Sequence, residues 1–373
     1  MMDFAFSEDQ EELRRGVRTV LDAECDVDAL RAFELADEEA RADLSASRWA
    51  VLAELGAPAL VVPTPANGLG LGDVDLVGVL EEAGHACLPE PLVETAALAA
   101  PTLAALLPDP AAAAALGALV EDDAIFAVGG IDVSPAGITS PSEVSADGML
   151  RTPRVVGARD ASILLLACRD DESGWQLHAV PAASCTAEPT PALSATRDLS
   201  VVHWPLASET LLAYGVAAEA AVNLLADRAA AASAALLIGL ADRMLALTAA
   251  YAKNRHQFGK PIGSFQAVKH HLADARVALE FARPATYRAA WSLTTAQPSL
   301  SHDASMAKAM ASDAADRAAR VALQVHGAIG YTWECDLHFF MKRTWALSRA
   351  WGDAATHRRL VLAHALAAAR AAG

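Results

Sequence analysis

Three long stretches rich in Ala and Leu, around residues 217–253, 264–293 and 303–326, repeat their apolar positions at the spacing of a helix, and they most constrain the fold. Helices faced with alanine approach one another closely and bury that face on further helices, so this part of the sequence predicts a bundle. The N-terminal region reads the same way from Ser7 to about Leu119, opening with Ser7-Glu-Asp-Gln10, which has the form of a capping box. Between Ala124 and Pro205 the pattern changes to short β-type runs, Ala124 to Val128, Ser162 to Ala167 and Ser200 to Trp204, set apart by Pro, Gly, Ser and Asp. After Leu206 helical periodicity returns. A chain of 373 residues that is 54% apolar, much of it Ala, and 20% charged has enough core for this plan. The expected fold is α+β but mainly α: an N-terminal helical domain (1–120), a small middle β domain (121–207) and a C-terminal helical bundle (208–373).

With 46 acidic and 29 basic residues the formal charge is −17, which repels nucleic acid and anionic lipid. The five cysteines are scattered and lack CxxC spacing, as expected of a reduced, cytoplasmic protein with no metal site. The N-terminus has no basic region followed by an apolar run. The longest largely apolar stretch, Ala229 to Ala241, falls short of a membrane span, so no membrane association is expected. The glycines between Gly68 and Gly72 do not fit GxGxxG and follow no clear strand, and they are read as a plain loop.

Two loops carry groups suited to chemistry. Behind the first Ala/Leu segment, Gly259 and Pro261 stop the helix and leave Arg255-His-Gln-Phe258 on a turn. Arg255 offers a planar fork of donors suited to a diphosphate, Gln257 donates and accepts, and Phe258 covers a ring. Behind the third, Gln324-Val-His-Gly-Ala-Ile-Gly-Tyr331 supplies small residues that let a ligand approach the main chain. Taken alone, the first loop reads equally well as an ordinary polar connector, and for the second a simple glycine C-cap is the commoner event. Elsewhere, His270 and His271 are adjacent and diverge on a helix, Arg358 and Arg359 read as helix surface, and neither HExxH nor GxSxG occurs.

Together, Tyr251-x3-Arg-x-Gln-Phe-Gly-Lys-Pro-Ile262, Phe265-Gln-Ala-Val-Lys269, Leu272-Ala-Asp274 and the Gln324 loop resemble the acyl-CoA dehydrogenase family. Leu55-Gly56, Val62-Pro63, Gly68 to Gly72 and Val79-Leu-Glu-Glu-Ala-Gly84 extend the resemblance more loosely over the N-terminal half. It implies a middle β-barrel or sandwich domain and a C-terminal four-helix bundle, and an FAD enzyme that removes an α-proton from an acyl-CoA with a Glu base, moves a β-hydride to the flavin and passes electrons to an electron-transfer acceptor. It also implies that the two loops act in a neighbouring subunit: Arg255 and Gln257 on the FAD diphosphate, Phe258 against the cofactor, and Gln324, His326 and Gly327 on its adenosine side.

The resemblance fails where the chemistry sits. Its Glu-Gly-Thr motif falls on Trp351-Gly-Asp353, and its other base location falls at about Ala229, so no carboxylate stands at either. Lys342-Arg343 replaces Arg-Asp, and Ala328 replaces the second Gly of a Gly-Gly pair. In the β region, Asp132-Val-Ser-Pro-Ala-Gly137 is a reduced form of the segment that contacts flavin and thioester, and Arg154-Val-Val-Gly-Ala-Arg159 stands roughly in place of Trp-Ile-Thr. The half-site a subunit builds for itself is eroded while the half it lends is kept. This is the look of the base-lacking subunit of bacterial α2β2 heterotetramers, whose partner is a related catalytic subunit and whose substrates include steroid side-chain acyl-CoAs. Two alternatives stay open: a self-sufficient homo-oligomer with Asp353 as base, and a scaffold subunit that binds no flavin.

Overall fold

The computed structural model describes residues 5–144, 149–170 and 174–372. In chain order the helices are α1 (Glu8–Glu24), α2 (Val27–Leu35), α3 (Glu38–Glu54), α4 (Asp73–Ala86), a π-helical stretch Val93–Ala99 running into α5 (Ala100–Ala105), and α6 (Pro110–Glu121). Ten strands follow: β1 (Phe126–Gly129), β2 (Asp132–Ser134), β3 (Gly137–Thr139), β4 (Glu143–Val144), β5 (Met149–Val156), β6 (Ile163–Asp170), β7 (Gly174–Pro181), β8 (Thr186–Thr190), β9 (Leu199–Pro205) and β10 (Leu211–Tyr214). The chain then runs through α7 (Gly215–Asn254), a small hairpin of β11 (His256–Gln257) and β12 (Lys260–Pro261), α8 (Gln266–Thr294), α9 (Leu300–His326), α10 (Leu337–Leu347) and α11 (Ala354–Ala372). The fold is helical, then β, then helical, as the sequence predicts. Helical periodicity alone misplaces Leu211 to Tyr214, because a four-residue apolar run reads as strand or helix until its partner, here β7, is known.

These elements form two compact units. The first comprises Phe33–Leu76 and Pro89–Ala229. Its two four-stranded sheets have the orders β1-β6-β7-β10, with β1 and β6 parallel, and β4-β5-β9-β8, all antiparallel. They share one core, in which Leu150, Val155, Leu164, Leu166, Val180, Val202 and Trp204 alternate inward along their strands. The Trp204 indole donates to Thr152 Oγ1 at 2.9 Å, so the largest core side chain leaves no polar atom unpaired.

The second unit comprises Met1–Ala32, Val77–Leu88 and Ala230–Gly373. Ser7 does form the capping box with Gln10 at the start of α1. α9 packs on α8, α10 and α11 through a face of Ala311, Ala315, Ala318, Ala319 and Ala322. α4 and α7 cross at Gly84 and Gly239, where an added Cβ at either would lie about 2 Å from backbone of the other helix: 2.2 Å from Leu236 O and 1.9 Å from Glu81 O. Beside that crossing Glu81 is buried and accepts from Arg283 and from the Tyr287 hydroxyl at 2.7 Å, while Glu82 accepts from Arg14 at 3.0 Å. By length and composition α7 is also long and apolar enough to cross a membrane, more than its purest apolar run suggests. Yet 78% of its most apolar window is buried inside the protein, as in a core helix.

Candidate functional site

The first loop is a two-residue β-hairpin rather than a simple turn. Arg255 N closes the last turn of α7 on Tyr251 O at 2.8 Å, and Ile262 N returns to Arg255 O at 2.8 Å. At the tip Phe258 and Gly259 both have positive φ, +54° and +78°, the geometry of a tight primed turn. Glycine adopts it freely; a phenylalanine there is strained by roughly 1–2 kcal/mol. The ring on this strained backbone is also 92% exposed, with Phe265 edge-on to it at 6.2 Å between centroids. Lys260 Nζ sits 4.4 Å over Phe265 and holds the base of the hairpin. Gln257 Nε2 donates to His256 O at 2.8 Å, and the exposed Arg255 guanidinium has no partner among the described residues.

The second loop starts where α9 ends. Gly327 has φ +66° and ψ −141°, a conformation close to glycine-only, and a Cβ there would meet nothing within 4 Å. His326 Nδ1 lies 2.8 Å from Ala322 O and donates to it, which leaves Nε2 as an acceptor in the neutral ring. The His326 ring stacks on Tyr251 with centroids 4.4 Å apart and planes 19° from parallel. That stack joins the end of α9 to the last turn of α7, so the Arg255 hairpin and the Gln324 loop occupy one end of the bundle. Gln324 is exposed and has no partner among the described residues.

Around the position expected to carry the base, the chain is braced by a residue the sequence reading missed. Trp351, at φ +57°, offers its carbonyl to His357 Nε2 at 2.8 Å. Lys308, fully buried on α9, donates to Leu347 O and Gly352 O at 3.0 Å each, with Ser348 O at 3.3 Å. A cation set against the free carbonyls at the C-terminus of α10 is favourable by the helix dipole, and it fixes the path of residues 347–352. Asp353 Oδ1 accepts from Thr356 N at 2.8 Å and caps α11. This backbone hydrogen bond, before any other influence, holds the Asp353 carboxyl below its usual range, the wrong direction for a base at neutral pH. Asp353→Asn, which keeps the cap, is expected to leave both melting temperature and turnover of the assembled enzyme unchanged, whereas Asp353→Ala costs about 1 kcal/mol of stability. Loss of turnover in the Asn variant would instead mark Asp353 as a base.

His357 gives this corner a pH response. Burial above all, opposed by the Trp351 carbonyl and reinforced by the charge of Lys308, brings its pKa down to about 4. Its Nδ1 is buried with no hydrogen-bond partner among the described residues, so protonation would add an unpaired donor. An unfolded histidine titrates near 6.5, so between pH 6.5 and 4 the unfolded chain binds the extra proton and stability falls with pH. At pH 5 this one group is expected to contribute on the order of 2 kcal/mol less than at pH 7. His85 and His178 are likewise brought down to about 4 by burial, so a His357→Gln variant should show a flatter, not a flat, dependence of melting temperature on pH.

At the other expected base position Ala229 is fully buried in α7. Its neighbour Arg228 is engaged in a bidentate pair with Asp73 at 2.8 and 3.1 Å and in a bond to Ala97 O at 3.2 Å. In the β region the groups that would face a flavin ring face each other. β2 and β3 close on themselves as a hairpin, with Ser134 Oγ donating to Gly137 O at 2.9 Å. Arg154, at φ +59°, pairs with Asp132 at 2.7 Å. The two loops, with the exposed Arg255 and Gln324 side chains lacking partners among the described residues, thus fit the diphosphate and adenosine end of FAD. The self-paired β2-β3 hairpin and Arg154 do not fit its ring.

Comparison with known proteins agrees with this geometry. The acyl-CoA dehydrogenase N-terminal domain family matches residues 7–107 and the acyl-CoA dehydrogenase C-terminal domain family residues 217–366. Acyl-CoA dehydrogenase IpdE2 of Mycolicibacterium smegmatis is 33% identical over 344 residues, covering 90% of this chain and 92% of that protein. Among solved structures, the ChsE4-ChsE5 complex from Mycobacterium tuberculosis superposes with TM-score 0.84 at 25% identity, covering 98% of this chain and 99% of the other. A variant of the Tcur3481-Tcur3483 steroid ACAD superposes with TM-score 0.82 at 26% identity and the same coverage. With the helical, β and helical order, the two loops at one end of the bundle and a full-length relative all in agreement, the chain belongs to the acyl-CoA dehydrogenase family of oxidoreductases.

Proposed function

We propose that this chain is the non-catalytic subunit of a heteromeric acyl-CoA dehydrogenase, lending the Arg255 hairpin and the Gln324 loop to an FAD site whose base and ring pocket belong to a related subunit. The observation that carries the reading is the split in its own structure. Arg255, Gln324 and Phe258 are exposed and uncommitted, while Arg154 pairs with Asp132, Ser134 bonds to Gly137 within its own hairpin, and positions 351 and 229 hold Trp and Ala. Its likeness to the ChsE4-ChsE5 complex and to a two-component steroid ACAD supports a heteromeric assembly, and the second supports a steroid-derived acyl-CoA as substrate.

When bound, FAD supplies the acceptor for the β-hydride of the acyl-CoA thioester. On this side of the site, the Arg255 fork and Gln257 hold the diphosphate, and Phe258 covers the cofactor and excludes water from it. His326 Nε2 accepts, and the chain at Gly327 approaches, on the adenosine side. The α-proton leaves to a carboxylate of the partner, because an indole at position 351 has no basic lone pair. The electrons then pass to an electron-transfer acceptor.

Purified alone, the chain is expected to lack a flavin absorbance spectrum and to leave acyl-CoA unoxidised. Purified with a family relative that carries the Glu base, it is expected to yield flavin-loaded, active enzyme. A single chain with stoichiometric flavin and full turnover would falsify the proposal.

A further inference from the structure

The exit of the Gln324 loop is fastened by groups that belong to neither motif. Asp336 stands at the N-cap of α10, where an aspartate ordinarily accepts from a backbone N–H of the first turn, yet its side chain makes no such bond. Its carboxylate accepts instead from Arg31 Nη2 on α2, 305 residues away in sequence. The same nitrogen reaches Glu334 O at 3.5 Å, while Arg31 Nη1 lies 3.5 Å from Asp28 one turn back on α2. Trp333 is held from the other side: Lys342 Nζ lies 4.3 Å over its ring, and His338 meets it edge-on at 4.6 Å between centroids, both from α10. Residues 333–336 are thus a corner pinned by α10 and by Arg31.

Between this corner and Gly327 the bonds are local. Thr332 N and Oγ1 both turn back to Ile329 O, at 3.0 and 2.8 Å, and Cys335 N to Thr332 O at 3.3 Å. Such bonds move with the loop, so they fix its shape and not its place. Its place is set at its ends, by the stack of His326 on Tyr251 at the entrance and by the pinned corner at the exit. A guanidinium fork suits the second task, because it takes a carboxylate and a carbonyl together and so fixes direction as well as distance. The pair is partly exposed, Arg31 by 41% and Asp336 by 30%, so it adds little to the stability of the fold and its consequence is local order. We propose that Arg31 is a positioning residue, holding the exit of the Gln324 loop through Asp336 and Glu334 O in the form that meets the cofactor. The cofactor part rests on the proposed function; the fastening does not.

Two measurements keep these apart. Hydrogen exchange on the chain alone reads the fastening without flavin. Arg31→Met keeps the aliphatic stem and loses the fork, and it is expected to speed exchange of amides 328–336 by about 3- to 10-fold, leaving buried α9 unchanged and the melting temperature within about 2 °C of wild type. In the assembled enzyme the same variant is expected to weaken flavin binding by about 3- to 10-fold, with kcat at saturating flavin unchanged and Arg31→Lys in between. Asp336→Asn should do likewise, and Arg31→Met combined with Asp336→Asn should be no worse than the worse single variant, as two residues acting as a unit behave. Unchanged exchange in Arg31→Met overturns the proposal whatever happens to flavin, and so do additive losses in the double variant. Faster exchange with unchanged flavin affinity overturns the cofactor role of the loop, which is the earlier reading, and leaves Arg31 as its fastening.

Discussion

Replacing Arg255 by alanine in the assembled enzyme is expected to release FAD. A guanidinium fork on a diphosphate at a water-excluded contact is a charge-assisted pair, and truncating one side of such a pair costs about 2–4 kcal/mol, or roughly 30- to 1,000-fold in flavin affinity. The check is the flavin-to-protein absorbance ratio after gel filtration, with free FAD titrated back to recover turnover. Arg255→Lys keeps the charge and loses the planar fork, so it should fall between the two. Because Arg255 has no partner among the described residues, the alanine variant is expected to melt at the wild-type temperature. Full flavin retention would show that the hairpin does not reach the cofactor. That result would favour a scaffold role for the chain.

The second large effect is structural. In Gly239→Ala the new Cβ would stand 1.9 Å from Glu81 O and 2.5 Å from His85 N, both backbone atoms of α4 that no rotamer change can move. Overpacking against two main chains is expected to exceed about 3 kcal/mol, seen as loss of soluble protein or a melting transition lowered by several degrees. Gly117, in the middle of α6, has open space around its missing Cβ, so Gly117→Ala serves as the contrast and should stabilise by up to about 1 kcal/mol. If both substitutions behave alike, the helix crossing is looser than its geometry implies.

How much of this was legible beforehand follows from where the information lies. The three alanine-rich segments predicted α7, α8 and α9 to within about three residues, since period and composition are local properties. Likewise Ser7 and Asp353 cap α1 and α11 as their positions before helical runs suggest. The β region was read more thinly. β1, β6 and β9 announced themselves as apolar runs, but β5, with Pro153 and two arginines, and β7, with His178 inside, take their strand identity from the neighbours they pair with. Lys308 could not have been found from pattern. In Ser-Met-Ala-Lys-Ala-Met it reads as a solvent-facing lysine, and only the arrival of the α10 carbonyls from some forty residues away makes burial tolerable. Nor could spacing show that Asp132 and Arg154 pair across the β region.

Phe258 has a further consequence, for how such a protein must be supplied. If a partner covers this ring, which is 92% exposed on strained backbone, docking would be favoured by about 1.5–3 kcal/mol, the gain from burying a phenylalanine. In the proposed heteromer, any copy made in excess of its partner would keep that ring in water, open to non-specific association and to the proteases that patrol incompletely buried surface. If the chain is the proposed subunit, balanced synthesis of the two subunits, rather than a higher level of either, would set how much enzyme a cell retains, and the exposed Phe258 ring would mark unmatched chains.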